Sequence, residues 1–376
     1  MVCVLGSILT GCPFCPTCPG PPFAVNIPDE GLNLQIRNDL GIPSGDILNT
    51  DLATLTRLVI DELVANLTGL EYCVNLRELH ASGCGATDLT PLRGLPALEC
   101  LDIRRMPIED YGLLATLPAL RELWVGTDTG QKDSLLSDIS WLSSLPRLRM
   151  LWVWHSSSNI SALAGLTLLE ELEIRGQYMT DLGPLGGLTS LRELRLVGGS
   201  LTDLTPIASL TGLTALSVSG TAVGNLSALS SLHNLTHLSL PNNAIEDISP
   251  LSGLPELLSL DLAVNQVVDI SILPSMPKLR ELSLGTTWVY DYTLFDGISG
   301  GNLVSDLSPL ADMPQLRFMT LVHNQIADLS PLADNAGFGG PGYHLDLRYN
   351  PLDLDSPAVQ ADLAVLEARD FEVLEY

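Results

Sequence analysis

The chain is poor in basic residues. Lys and Arg together number 18 against 44 Asp and Glu, for a net charge of -26. Such a charge repels phosphate backbones and excludes nucleic acid as the main partner. Aromatics are scarce at 5% of residues, so wherever they gather they deserve a reason. Cysteines number seven, and Cys12, Cys15 and Cys18 share the two-residue spacing of metal ribbons in "CPFCPTC". A structural zinc centre needs a second such pair. Cys73, Cys84 and Cys100 instead lie singly, as small buried apolar residues do. No apolar run is long enough to cross a membrane. What the sequence has in quantity is aliphatic material: 46% of it is hydrophobic and the mean hydropathy is positive, enough for a large core.

That material is periodic. Units of the form LxxLxL begin at Leu55, Leu76, Leu98, Leu120, Leu148, Leu169, Leu191, Leu213, Leu235, Leu257, Leu279 and Leu316. A further unit, with Gly342 in place of its first leucine, is carried by Leu345 and Leu347. The modal spacing is 22 residues, with longer intervals of 28 after Leu120 and 37 after Leu279. In "LRELHASGCGATDLTPLRGLPA", Leu79 and Ala81 alternate with polar residues at period two, which predicts a short strand with one buried face. Leu89, Leu92 and Leu95 then follow at the spacing of a tight helical turn.

Two polar rows recur at fixed phases. Asp88 is repeated as Asp110, Asp138, Asp181, Asp203, Asp247, Asp269, Asp306 and Asp328, with Asn225 in the same role. Each precedes the turn, where a side-chain oxygen accepts free amide hydrogens, so capping is expected rather than calcium binding. Asn243, Asn265, Asn324 and Asn350 follow the strands, where an inward amide can satisfy backbone groups and form a ladder between units. Earlier units carry Cys84, Ser156, Gln177 and Thr221 there, so a weaker or differently bonded ladder is expected.

These features resemble the leucine-rich repeat superfamily, in particular the 22-residue units of internalin-like bacterial surface proteins and of the phosphatase-regulator type. The resemblance implies an α/β solenoid, an arc with a parallel concave sheet and 3-10 or helical turns on its convex side. Residues 24–54 look like an N-terminal helical cap, 55–352 like about thirteen repeat turns, and 353–376 like a C-terminal cap. A single unit cannot bury its own apolar face, so caps are also required on physical grounds.

Residues 1–23 differ in composition from the remainder. "LTGC", ending at Cys12, resembles a lipobox, although no basic residue precedes the apolar run. Export as a lipoprotein attached through Cys12, ordinary secretion, and a tail without function remain open. No wall-sorting motif or membrane-spanning segment follows, so surface attachment would depend on Cys12.

One outward column gathers the scarce aromatics. Trp124 and Trp152 share a phase in consecutive units. Trp154 and His155 lie beside them, Arg104 and Arg105 one unit earlier, and Glu173, Arg175 and Arg195 later. Tryptophan with arginine is the composition of a binding hot spot. The insertion "GTDTGQKDSLLSD" leaves beside Trp124, and "GTTWVYDYTLFDGISGGNLVSD" carries Trp288, Tyr290 and Tyr292. Inserted loops often line a binding edge. Enzyme signatures fail in context. "GISGG" around Ser299 lacks the strand-to-helix elbow, and "GFGGPG" precedes a strand rather than following one. Asn66, Asn159, Asn225 and Asn234 open glycosylation sequons that the repeat grammar generates readily.

The expected protein is a non-enzymatic module, monomeric and without metal or cofactor, that binds a protein partner at a bacterial cell surface. An intracellular phosphatase-regulator-like scaffold and a glycan or peptidoglycan reader are the alternatives.

Overall fold

A computed structural model describes residues 21–126, 136–285, 301–340, 342–369 and 371–374. It divides into two compact units, Met1–Ser156 and Ser157–Tyr376. Cys12, Trp288, Tyr290 and Tyr292 lie outside the described residues, as does most of both insertions.

The first unit begins with helix α1 (Glu30–Leu40), capped by Asp29, whose carboxylate accepts the Leu32 amide. The other carboxylate oxygen of Asp29 accepts the amides of Ala65 and Asn66, tying the helix to the first repeat. After the short α2 (Asn49–Leu52) come β1 (Arg57–Val59), β2 (Glu78–His80), β3 (Cys100–Asp102), β4 (Glu122–Gly126) and β5 (Met150–His155). They pair in parallel and in chain order, with leucine opposite leucine from Leu58 to Leu151.

The second unit continues the pattern with β6 (Glu171–Gly176), β7 (Glu193–Val197), β8 (Ala215–Ser219), β9 (His237–Ser239), β10 (Ser259–Asp261), β11 (Glu281–Ser283), β12 (Phe318–Thr320) and β13 (Tyr343–Asp346). These too are parallel neighbours. A 3-10 turn follows most strands, as at Thr90–Leu92 and Thr205–Ile207. Near the end α3 (Ser330–Asp334) takes the place of such a turn, α4 (Pro357–Glu367) buries Val359, Leu363 and Leu366, and β14 (Phe371–Leu374) adds to β13. The leucines of strands and turns are almost wholly removed from water, each contributing about 1.5–3 kcal/mol before entropy is charged against it.

The aspartate row closes Asx turns. The Oδ1 of Asp88, Asp110, Asp138, Asp181, Asp203, Asp247, Asp269, Asp306 and Asp328 accepts the amide two residues on, at 2.7–2.9 Å. Asn225 does the same, and so do Asn66 and Asn159, both read from the sequence only as sequons. At Asp138, Asp247, Asp269 and Asp306 the amide, and then the hydroxyl, of the serine two residues on holds the carboxyl below its ordinary value.

The asparagine row forms a continuous ladder. Asn265 Nδ2 donates to the carbonyls of Leu240 and Leu262, both at 2.9 Å, and its Oδ1 accepts the Ile245 amide at 3.1 Å. Asn243, Asn324 and Asn350 repeat the arrangement. A fifth rung, Asn302, was hidden from a fixed 22-residue count because the insertion after Leu279 falls between its strand and this asparagine. It donates to Leu262 and Leu284 and accepts from Val267. The earlier units differ. Cys84 donates its thiol to the Val64 carbonyl at 3.0 Å, Thr221 donates to Asn243, and Gln177 turns out to solvent.

Cys73, Cys84 and Cys100 are buried free thiols. Burial first, then the Glu71 charge, pushes the Cys73 thiol up to about 12.

Candidate functional site

In the first unit the parallel register stacks His80, Asp102, Trp124 and Trp152 into one column on the solvent side of the sheet. Period two dictates this. Leu123, Val125, Leu151 and Val153 occupy the alternate positions and are fully buried, so the tryptophans between them point away from the core and remain partly accessible. Their rings meet edge to face, 6.1 Å between centroids at 67°, a favourable quadrupolar arrangement.

Arg104 reaches over this pair, its guanidinium carbon 5.9 Å from the Trp152 ring centroid. It is held there by Asp102, whose two oxygens receive Nε at 2.9 Å and Nη2 at 2.7 Å. Sequence reading overlooked Asp102, although an i, i+2 pair on a strand necessarily shares a face. Arg105 is more exposed, 3.5 Å from Glu62. The chain leaves the strand through Arg105 in the left-handed region, φ 58°, which separates its direction from that of Arg104. Trp154, two residues past Trp152, is also partly accessible.

Two expected site residues are corrected. His155 is 1% exposed: it follows Trp154 in sequence, and on a pleated strand that places it on the opposite face, toward the core. Glu173 has the outward phase but is 2% exposed. Arg175 Nε donates to it at 2.6 Å, and Arg195 lies 3.8 Å away. Glu173 therefore positions these two arginines on β6 and β7 instead of offering itself to a ligand.

Sequence reading also missed two aromatic stacks in the second unit, in each of which one ring, Phe318 or Tyr349, is exposed and the histidine is half-buried. Phe318 lies on His344 at 4.6 Å, and His323 on Tyr349 at 4.3 Å. Among the described residues no group of three or more His, Cys, Asp or Glu side chains is placed to hold a metal ion. No helix among them is long and apolar enough to cross a membrane.

No protein-family model and no curated protein sequence matches the chain. Solved structures do. An internalin (inlF) of Listeria monocytogenes is 27% identical, over 93% of this chain and 91% of that one, with a TM-score of 0.64. A leucine-rich repeat protein of Leptospira interrogans is 19% identical, over 86% of this chain and 97% of that one, with a TM-score of 0.60. The ectodomain of the plant receptor kinase GASSHO1/SCHENGEN3 of Arabidopsis thaliana, in complex with Casparian strip integrity factor 2, is 17% identical. That match covers 86% of this chain but 41% of the receptor's, with a TM-score of 0.60. The parallel strands, the 3-10 turns and these neighbours together make the fold a leucine-rich repeat solenoid, similar over most of its length to internalins and other bacterial leucine-rich repeat proteins.

Proposed function

We propose that the chain is a non-enzymatic binding module that holds a protein ligand on the solvent face of its sheet. The tryptophan column of the first unit is the anchor. The observation that carries this reading is the partly accessible Trp124–Trp152 pair with Arg104 fixed above it by Asp102. Flat aromatic area binds at low entropic cost, and a preoriented guanidinium adds directional bonds. Arg105 and Trp154 extend the patch, while Arg175 and Arg195 supply a second cationic contact on the other unit. The plant receptor ectodomain in complex with its factor supports a protein ligand for this fold. The similarity to an internalin supports a place at a bacterial cell surface, with Cys12 as the point of attachment.

The test is affinity capture by residues 24–376. Trp124→Ala with Trp152→Ala is expected to weaken capture of the partner at least about a hundred-fold, since hot-spot residues cost about 2 kcal/mol or more each. The melting temperature should stay within a few degrees of wild type. Undiminished capture by the double variant contradicts the reading.

A further inference from the structure

β1 is a terminal strand and pairs on one side alone, with β2. That ladder uses alternate backbone groups. The Thr56 carbonyl accepts the amides of Arg77 and Glu78 at 2.8 and 3.1 Å, and the Ile60 amide donates to the His80 carbonyl at 2.7 Å. Strand geometry therefore turns the amides and carbonyls of Arg57 and Val59 to the outer side, where no described residue pairs with them. Proteins guard such an edge with lysine, proline or a bulge, and β1 has none of these. Arg57 is drawn over the sheet to Glu78 on β2, at 3.1 Å, rather than out across the edge. Val59 is 48% exposed.

The surroundings of this edge are apolar as well as open. Just past β1 a turn holds Leu63 out in solvent, 87% exposed. Asp61 fixes the turn, its Oδ1 accepting the Leu63 amide and its carbonyl the Val64 amide, both at 3.2 Å. At the other end of the strand a groove of about 560 Å³ runs between α1 and the chain entering β1. Gln35, Asp39 and Leu40 form one wall, and Thr54, Leu55 and Thr56 the other. An isolated exposed leucine needs no explanation. Leu63 and Val59 together, beside unpaired backbone and an open groove, mark a contact.

We propose that β1 pairs with β1 of a second copy of this chain, antiparallel about a two-fold axis at Leu58. That axis sets Arg57 of each copy opposite Val59 of the other. Each such pair exchanges both of its N–H···O bonds, so every backbone group left open on the edge is used. The contact is isologous and closes at a dimer. Arg57 and Val59 lie on the same, solvent side of the strand, so each Val59 packs on the aliphatic stem of the facing Arg57. Antiparallel pairing also brings the turn that carries Leu63 to the start of β1 in the other copy, where Leu40 and Leu55 line the groove. A second copy fits better than an unrelated strand because one chain carries both the groove and the side chain that enters it. This departs from the monomer expected from the sequence. It does not use the tryptophan column, and either can hold without the other.

The test is sedimentation equilibrium of the full chain, with a reductant present so that cysteine cross-links do not contribute. At about 0.5 M salt the Debye length of about 4 Å screens the repulsion between two such acidic chains. A monomer–dimer equilibrium is expected, with a Kd on the order of 10 µM for so small an interface. Val59→Pro removes an outward amide and none of the bonds to β2, a position where proline is tolerated. It should weaken dimerisation at least about ten-fold while leaving the melting temperature within a few degrees of wild type. Leu63→Asp changes a side chain that makes no core, should weaken it by about as much, and decides alone where Val59→Pro does not fold. A wild-type chain that stays monomeric up to about 100 µM, ten times that order of Kd, overturns the proposal and leaves the edge to a segment of another protein. Growth beyond two copies, or a dimer unchanged in either folded variant, overturns it as well. Trp124→Ala with Trp152→Ala should dimerise as wild type does, so failure of the tryptophan patch and failure of this edge are read separately.

Discussion

The early and late repeats share one leucine frame but treat the bend after each strand differently. From Asn243 onward the bend is closed by amide rungs, in which the carbonyls of Leu240, Leu262, Leu284 and Leu321 each serve two asparagines. Before it the same phase holds the thiol of Cys84, the buried Met106 and the outward Gln177. The surfaces differ in parallel. The first unit presents tryptophan and arginine, whereas β8 to β12 present Ser217, Ser239, Asp261, Ser283 and Thr320 along the equivalent column. The difference teaches that the leucines alone specify the solenoid, while the polar phases are free to be spent on rigidity in one stretch and on recognition in another.

The sharpest way to break this comparison is to truncate the residue at this phase in each stretch. Asn265→Ala leaves a buried amide and shared carbonyls without their partner, at about 1–3 kcal/mol for each unsatisfied group, and is expected to lose about 3 kcal/mol in urea unfolding. Gln177→Ala, at the same phase but facing water, should stay within about 0.5 kcal/mol of wild type. Equal losses would erase the distinction between the two stretches.

A smaller contrast lies within one column. Asp346 receives Arg348 Nε at 2.9 Å and Nη2 at 2.6 Å. Asp346→Asn strips that buried counter-charge from Arg348 and is expected to cost about 2 kcal/mol. Asp261→Asn should have the opposite sign at pH 7. Burial raises the folded pKa of Asp261, so between the unfolded value of about 3.9 and that raised value the native state holds more protons than the unfolded chain. Stability therefore falls as pH rises through that window, and the penalty is complete above it. Asparagine removes the penalty, raising Tm by about 2 °C at pH 7. The gain should vanish at pH 3, which thermal scans at the two pH values would show.

The smallest effect concerns the backbone just before each rung. Early units use Gly83, Gly198 and Gly220 in the left-handed region, while Val264 adopts φ 54° at this phase with a branched side chain. Val264→Asn, matching Asn242 at φ 53°, is expected to stabilise by about 1 kcal/mol. No gain would mean that packing of the valine offsets its strain.

Much of this was legible from spacing. Leucine, Asx-turn and ladder positions recur in register, and every one depends on local geometry that the 22-residue count preserves. Asn302 escaped because an insertion moved it out of count, though not out of place. His155 was misassigned because proximity in sequence was taken for proximity on a face, when a strand alternates. Glu173 was given the right face but not its two arginine neighbours, one of which belongs to the next strand. Asp261 carries no signal of its own. Its character emerges only when the residue two positions on is compared across three repeats, as Arg104, Ala263 and Arg348. The strand at Phe371–Leu374 lacks the LxxLxL frame altogether, and its pairing with β13 is a tertiary fact.

The most direct test of the sheet face as the binding surface uses a tryptophan from each side of the same unit. Trp152 lies on the sheet face, whereas Trp141 lies in the 3-10 turn, stacked on Tyr111 at 5.1 Å. With p-benzoylphenylalanine at one position or the other, irradiation in the presence of the captured partner is predicted to cross-link it through position 152 and not through position 141. Cross-linking through position 141 alone would contradict the account.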